Sequence, residues 1–178
     1  MPDNYCLRLP TEAEWEKGAR GGMKLPQQVV TGKITELKEI REEELGSIAK
    51  PSPKREYPWE VIPGAEEPAP EKANYADSQL GTTSAVGCFP DGSSPYEILE
   101  LSGNVWEWTQ SLYMEYPYDP SDGREDLKSS DDRVLRGGSF LDPARNLRCA
   151  FRNRSYPVGR DRFDGFRVVV APGFSSDL

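Results

Sequence analysis

The first clear periodicity in the chain begins at Thr11. Thr11-Glu-Ala-Glu14 has the spacing of a capping box, Trp15 and Ala19 follow four residues apart, and Gly21-Gly22 closes a short helix. A second run, within a segment from about 23 to 55, sets Ile34, Leu37, Ile40, Leu45 and Ile48 near helical spacing. Lys38 and Glu42 lie at i,i+4 and Pro51 follows, so this segment predicts an inserted surface helix of about four turns. Glu60 to Lys72, rich in Pro, Glu and Ala, reads as loop.

Thereafter short apolar pieces alternate with turns: residues 85–90, 104–109, 134–135 and 165–170, with Met114 to Ser130 as a further long loop. Alternation in Asn104-Val-Trp-Glu-Trp-Thr109 puts Val105 and Glu107 on one strand face, Trp106 and Trp108 on the other. Both indoles are therefore expected in the core. The pattern is that of an α+β protein with few helices, short strands and much irregular loop.

Composition agrees and narrows the field. A chain of 178 residues suits one domain. With 16 Gly and 16 Pro it holds many defined turns, while four Trp, eight Tyr and six Phe supply a core. A net charge of −8 argues against nucleic-acid binding, although most of the arginines crowd between Arg133 and Arg167. Met1-Pro-Asp-Asn is no charged-then-apolar leader, and no apolar run approaches the ~20 residues of a membrane helix. The expectation is a soluble, cytoplasmic protein without a membrane partner. Cys6, Cys88 and Cys149 are odd in number and lack a C-x-x-C, which favours reduced thiols over a disulfide framework. The chain has no histidine, which removes His-based acid–base and nucleophile chemistry and His-ligated metals.

Several segments carry a family resemblance. They are Arg8-Leu-Pro-Thr-Glu-Ala-Glu-Trp-Glu16, Tyr57-Pro-Trp59, Ala73-Asn-Tyr75, Ala85-Val-Gly87 with Phe89-Pro90, Ser102-Gly-Asn-Val-Trp-Glu-Trp-Thr109, Arg133-Val-Leu-Arg-Gly-Gly-Ser139 and Gly165-Phe-Arg-Val168. In this order they resemble the formylglycine-generating-enzyme, or sulfatase-modifying-factor, family. The resemblance implies one domain over 1–178 with a C-type-lectin-like fold, built on a small twisted antiparallel sheet. Glu60 stands where the family pattern has Gly, and the portion that usually precedes the Arg8–Glu16 segment is mostly absent. A partner subunit or a missing N-terminal segment is the corresponding expectation.

In the family's oxidases a cysteine pair after Gly-Gly-Ser binds copper. Here Asp142 stands at the first position, Asn146 lies near the second, and Cys149 resembles a structural cysteine. Asp and Asn cannot replace a soft thiolate pair for Cu(I), and the family's iron enzymes need histidine, so the resemblance implies a non-catalytic chain. It also implies calcium near Asn74 and Asn104, with capping or turn roles as the alternative for both asparagines.

From Ser129 to Leu178 there is no Lys, Glu, Gln, Met or Trp, types frequent enough elsewhere that about ten would be expected in such a stretch. Residues 136–168 resemble the variable region of proteins diversified by retroelements. Adenine randomisation at Asn codons cannot reach those five types in such proteins. Arg145, Arg148, Ala150, Arg152, Pro157 and Arg160 match the constant framework. Between them lie candidate ligand-binding residues: Phe140, Leu141, Asp142, Phe151, Ser155 and Tyr156, then Val158, Gly159, Asp161, Phe163 and Asp164. Aromatic anchors beside adaptable Ser, Gly and Asp are the chemistry of a paratope. The displayed side chains are expected on the surface, with Arg148, Arg152 and Arg167 bracing the framework. The resulting expectation is a non-enzymatic binder of a protein or peptide. A degenerate sensor or regulatory domain with one fixed ligand is the alternative, and an enzyme of unrecognised mechanism ranks behind both.

Overall fold

Thr11 starts helix α1 (Glu12–Arg20) with the reciprocal bonds its sequence predicts. Its hydroxyl accepts from the Glu14 N–H at 3.1 Å, and the Glu14 carboxylate accepts from the Thr11 N–H at 2.8 Å. Trp15 and Ala19 face inward and Gly21 ends the helix. The computed structural model describes residues 5–30, 46–49, 55–62, 64 and 67–172.

Eight short strands accompany this helix among the described residues. β1 (Tyr5–Arg8) pairs antiparallel with β8 (Val169–Pro172), bringing the two ends of the described chain together. β2 (Lys24–Pro26) and β3 (Ser47–Ala49) form an antiparallel ribbon with Leu25 opposite Ile48. The predicted inserted helix therefore does not extend over its whole range. Ile48 is in a strand, and Gly46 with φ +60° separates it from any preceding helical backbone. Residues 31–45, the rest of that prediction, lie outside the described residues.

The main sheet holds β4 (Trp106–Leu112), β5 (Arg133–Arg136), β6 (Arg152–Ser155) and β7 (Asp164–Phe166), in the order β6-β5-β4-β7. It is mixed, not purely antiparallel, because β7 runs parallel to β4. A parallel partner requires a crossover, so residues 156–163 must travel from one edge of the sheet to the other. The architecture is α+β, with one α-helix and several short 3-10 turns among the described residues.

Both faces of β4 are occupied. Trp106 is buried against Phe151, ring centroids 5.9 Å apart, whereas Trp108 is only half-buried, so the core expectation holds for the first indole alone. One apolar cluster joins Trp15, Ala19, Leu101 and Cys149, and another joins Tyr57, Trp59, Ala73, Tyr75 and Leu147. Tyr57 stacks on Trp59 at 5.3 Å. Glu60, which replaces the family's Gly, is buried and ties the turn by accepting from the Glu56, Tyr57 and Gly64 N–H groups. Cys149 is buried and its thiol is pushed up to about 12 by burial. Cys6, Cys88 and Cys149 are all free.

Candidate functional site

Arginine side chains position the C-terminal segment, and carboxylates from distant parts of the chain hold them. Arg136 is fully buried, bonds Glu16 at 2.6 Å and donates to the Cys149 and Phe151 carbonyls. Arg152 makes two bonds to the buried Glu12 carboxylate, at 2.6 and 2.8 Å, while its guanidinium lies between the Tyr113 and Tyr116 rings. Arg167 holds both oxygens of buried Glu107 and also donates to the Leu99 and Glu100 carbonyls. The indole Nε1 of Trp15 donates to the same Glu107. Arg133 donates to the carbonyls of Gln110, Asp126 and Ser129. Arg148 differs from the expected brace: it is exposed, bonds the Arg145 carbonyl and reaches Glu56 only at 3.9 Å. Sequence reasoning missed Glu12, Glu16 and Glu107 as counter-charges. A carboxylate set between two tryptophans, as Glu107 is, was the available signal.

Onto this frame the structure places the candidate residues unequally. Leu141, Tyr156, Val158 and Asp161 are exposed, Val158 at 86%. Phe151, Ser155, Gly159, Phe163 and Asp164 are half-buried. Phe140 is buried at 3%, contrary to the exposed position expected of it, because two consecutive left-handed glycines, Gly137 (φ +96°) and Gly138 (φ +76°), turn the chain inward after β5. Its backbone N–H is fixed by the Asn104 carbonyl and Arg162 lies over its ring.

Asp142 is likewise a structural residue and not a displayed one. One carboxylate oxygen accepts from the Ser139 N–H at 3.0 Å and from its hydroxyl, and the other accepts from Asn146 Nδ2 at 2.6 Å. Asp142, which the resemblance sets at the first cysteine position, and Asn146, near the second, are thus in contact as a hydrogen-bonded Asp–Asn pair.

Asp164 is the opposite case. Both its carboxylate oxygens are out of water and without a hydrogen-bond partner among the described residues, and burial, with Asp161 adding, pushes its carboxyl up to about 6.

Asn74 and Asn104 do meet, but as loop-closing residues. The Asn104 N–H donates to the Asn74 carbonyl, and Asn104 Oδ1 accepts from the Ser84 N–H at 2.9 Å. Asn74 Nδ2 donates to the Thr82 carbonyl, leaving only Asn74 Oδ1 unpartnered. Among the described residues no three His, Cys, Asp or Glu side chains gather to hold a metal.

Away from these loops, a cleft of about 400 Å³ lies between α1 and Tyr116 and Tyr118. Glu12 and Glu16 line it, yet both are engaged by the arginines just described.

Residues 4–172 match the model of the sulfatase-modifying factor enzyme 1-like domain. The chain belongs to this family. A hercynine oxygenase of Mycolicibacterium smegmatis is 31% identical over 170 residues, which cover 91% of this chain and 32% of that protein. The inactive C-alpha-formylglycine-generating enzyme 2 of Bos taurus is 33% identical over 179 residues, covering 95% and 47%. The chain therefore spans less than half the length of these relatives. Among solved structures, that of PvdO from Pseudomonas aeruginosa superposes with a TM-score of 0.61 at 26% identity, over 91% of this chain and 51% of that one. Treponema denticola variable protein 1 gives 0.56 at 24%, over 94% and 48%, a likeness of fold. The family includes relatives named as oxygenases and relatives named inactive. No helix among the described residues is long and apolar enough to cross a membrane.

Proposed function

We propose that this chain is a non-catalytic binding protein whose segment 136–168 forms a diversified recognition surface for a protein or peptide. One observation carries the reading: stability and display are divided between different residues. Arg136, Arg152 and Arg167 are sunk into carboxylates and carbonyls, whereas Leu141, Tyr156, Val158 and Asp161 stand in solvent on the loops they brace. Exposed aliphatic and aromatic side chains on a rigid frame are what a recognition surface needs, since little ordering is left to be done on binding. The hydrogen-bonded Asp142–Asn146 pair in place of two thiols supports a non-catalytic role, as does the relative named inactive. The absence of Lys, Glu, Gln, Met and Trp after Lys128 supports diversification through adenine-directed codon change.

The DNA flanking the coding sequence tests the diversified part. A near-copy of the 136–168 segment, differing at adenines and lying beside a reverse transcriptase, is the expected finding. Its absence leaves the fixed-ligand sensor as the better reading. That second reading is favoured by the cleft between α1 and Tyr116, of a size that takes a small molecule.

A further inference from the structure

The nine arginines from Arg133 to Arg167 fall into two classes. Arg133, Arg136, Arg152 and Arg167 are paired as described. Arg145, Arg148, Arg154, Arg160 and Arg162 are exposed. Of these, Arg148 and Arg154 reach a carboxylate only at 3.9 and 3.5 Å, and Arg145 and Arg160 make no ion pair among the described residues. The exposed acid in the same stretch, Asp161, stands against five exposed guanidinium groups. This excess is not a property of the chain as a whole, whose net charge is −8.

One contact and the chain order link the basic residues to the exposed apolar ones. Arg162 lies over the Phe140 ring at 5.9 Å, which joins the 156–163 crossover to the turn that carries Leu141. Arg145 sits on the 3-10 turn Ala144–Leu147, which Asn146 fastens to Asp142. Arg160 is two residues from both Val158 and Arg162.

We infer that the partner of this surface is an acidic polypeptide segment in which Asp or Glu side chains flank an apolar one. The inference rests on the proposed recognition role of 136–168. The apolar side chain seats against Leu141, Tyr156 and Val158, while its acidic neighbours take paired hydrogen bonds from Arg145, Arg160 and Arg162. A guanidinium suits that task because its planar fork meets both carboxylate oxygens and is weakly hydrated. Exposed in the free protein, these arginines pay no desolvation cost until docking, and their field speeds encounter with an acidic segment. A nucleic acid fits less well: the exposed aliphatic side chains of Leu141 and Val158 have no use along a phosphate backbone, and the rest of the chain repels it.

The test is selection of a displayed random-peptide library on the immobilised full chain, followed by fluorescence anisotropy with the recovered peptides. Peptides enriched in Asp and Glu around an aromatic or aliphatic residue are expected. Their affinity should fall at least about tenfold in Arg145→Glu/Arg160→Glu/Arg162→Glu, and should fall as salt is raised from about 50 to about 500 mM. The triple variant should keep the parent melting temperature, since all three side chains are exposed. Recovery of neutral or basic peptides that still depend on Tyr156 and Val158, read with Tyr156→Ser/Val158→Ser, overturns the acidic partner but leaves the recognition surface standing. Single-stranded RNA that displaces the peptides at equal charge concentration also overturns it. Binding indifferent to both variants, or no enrichment over a blank support, removes the acidic partner and the recognition surface together.

Discussion

Among single residues, Asp142 and Asn146 bear most on the proposed non-catalytic role. Together with Ser139 they form a closed hydrogen-bonded turn, so the carboxylate serves structure. Asp142→Ala would strand the Ser139 N–H and the Asn146 amide, and should cost about 1–3 kcal/mol in urea unfolding. The reduced parent chain should form no tight Cu(I) complex in a competition titration, because no thiol pair exists at these positions and the buried Cys149 thiol is held protonated. A stoichiometric, chelator-resistant complex would contradict this. Asp164 gives a pH signature. Its folded carboxyl is raised to about 6 from an ordinary 3.8, so between those values the folded state keeps a proton that the unfolded chain releases. Well below 3.8 both states are protonated and Asp164 has no effect. As pH rises to 6 the residue progressively destabilises the fold, and above 6 the penalty is constant. Asp164→Asn should therefore match the parent near about pH 3 and exceed it at about pH 7, by about 1 kcal/mol once solvent screening is allowed for. Denaturant midpoints across that range measure the difference.

At the scale of elements, the molecule depends on ion pairs that fasten α1 to the main sheet. Glu12 belongs to the first turn of α1 and Arg152 to β6, 140 positions away, and their contact is shielded by Tyr113 and Tyr116. Removing one partner leaves a buried charge alone, so Glu12→Gln should lose about 3–5 kcal/mol. A double-mutant cycle with Arg152→Met should show strong coupling, whereas additive effects would mean that the two act independently. Trp106→Ala should cost about 3–5 kcal/mol, and Trp108→Ala clearly less because that indole is half-buried. The capping box of α1 was legible because its signal is local, a hydroxyl and a carboxylate three residues apart. The alternation in β4 was legible for the same reason. The ribbon made by Lys24–Pro26 and Ser47–Ala49 was not, because its pairing spans more than twenty residues and Ile48 satisfied a helical spacing by coincidence. Nor was the parallel addition of β7, since strand direction is set by the crossover and leaves no mark in a three-residue strand.

For the molecule as a whole, the sequence marked the proposed recognition segment as a region and not as a set of side chains. Composition and framework spacing marked 136–168, yet they could not separate Phe140 from Leu141. The two glycines after Arg136 send the first inward and leave its neighbour in solvent. The same limit concealed the counter-charges, because Glu12, Glu16 and Glu107 come from other parts of the chain. The resulting account has a scaffold of buried arginine–carboxylate pairs carrying loops that contribute little to its stability. Scaffold and display are then separable roles, and one experiment separates them. Tyr156→Ser/Val158→Ser/Asp161→Ser, measured in parallel for melting temperature and for binding of a peptide selected on the parent chain, should melt within about 5 °C of the parent, because each exposed substitution costs at most ~0.5 kcal/mol. It should also lose the peptide. A variant that unfolds, or one that melts unchanged and still binds, would contradict the account.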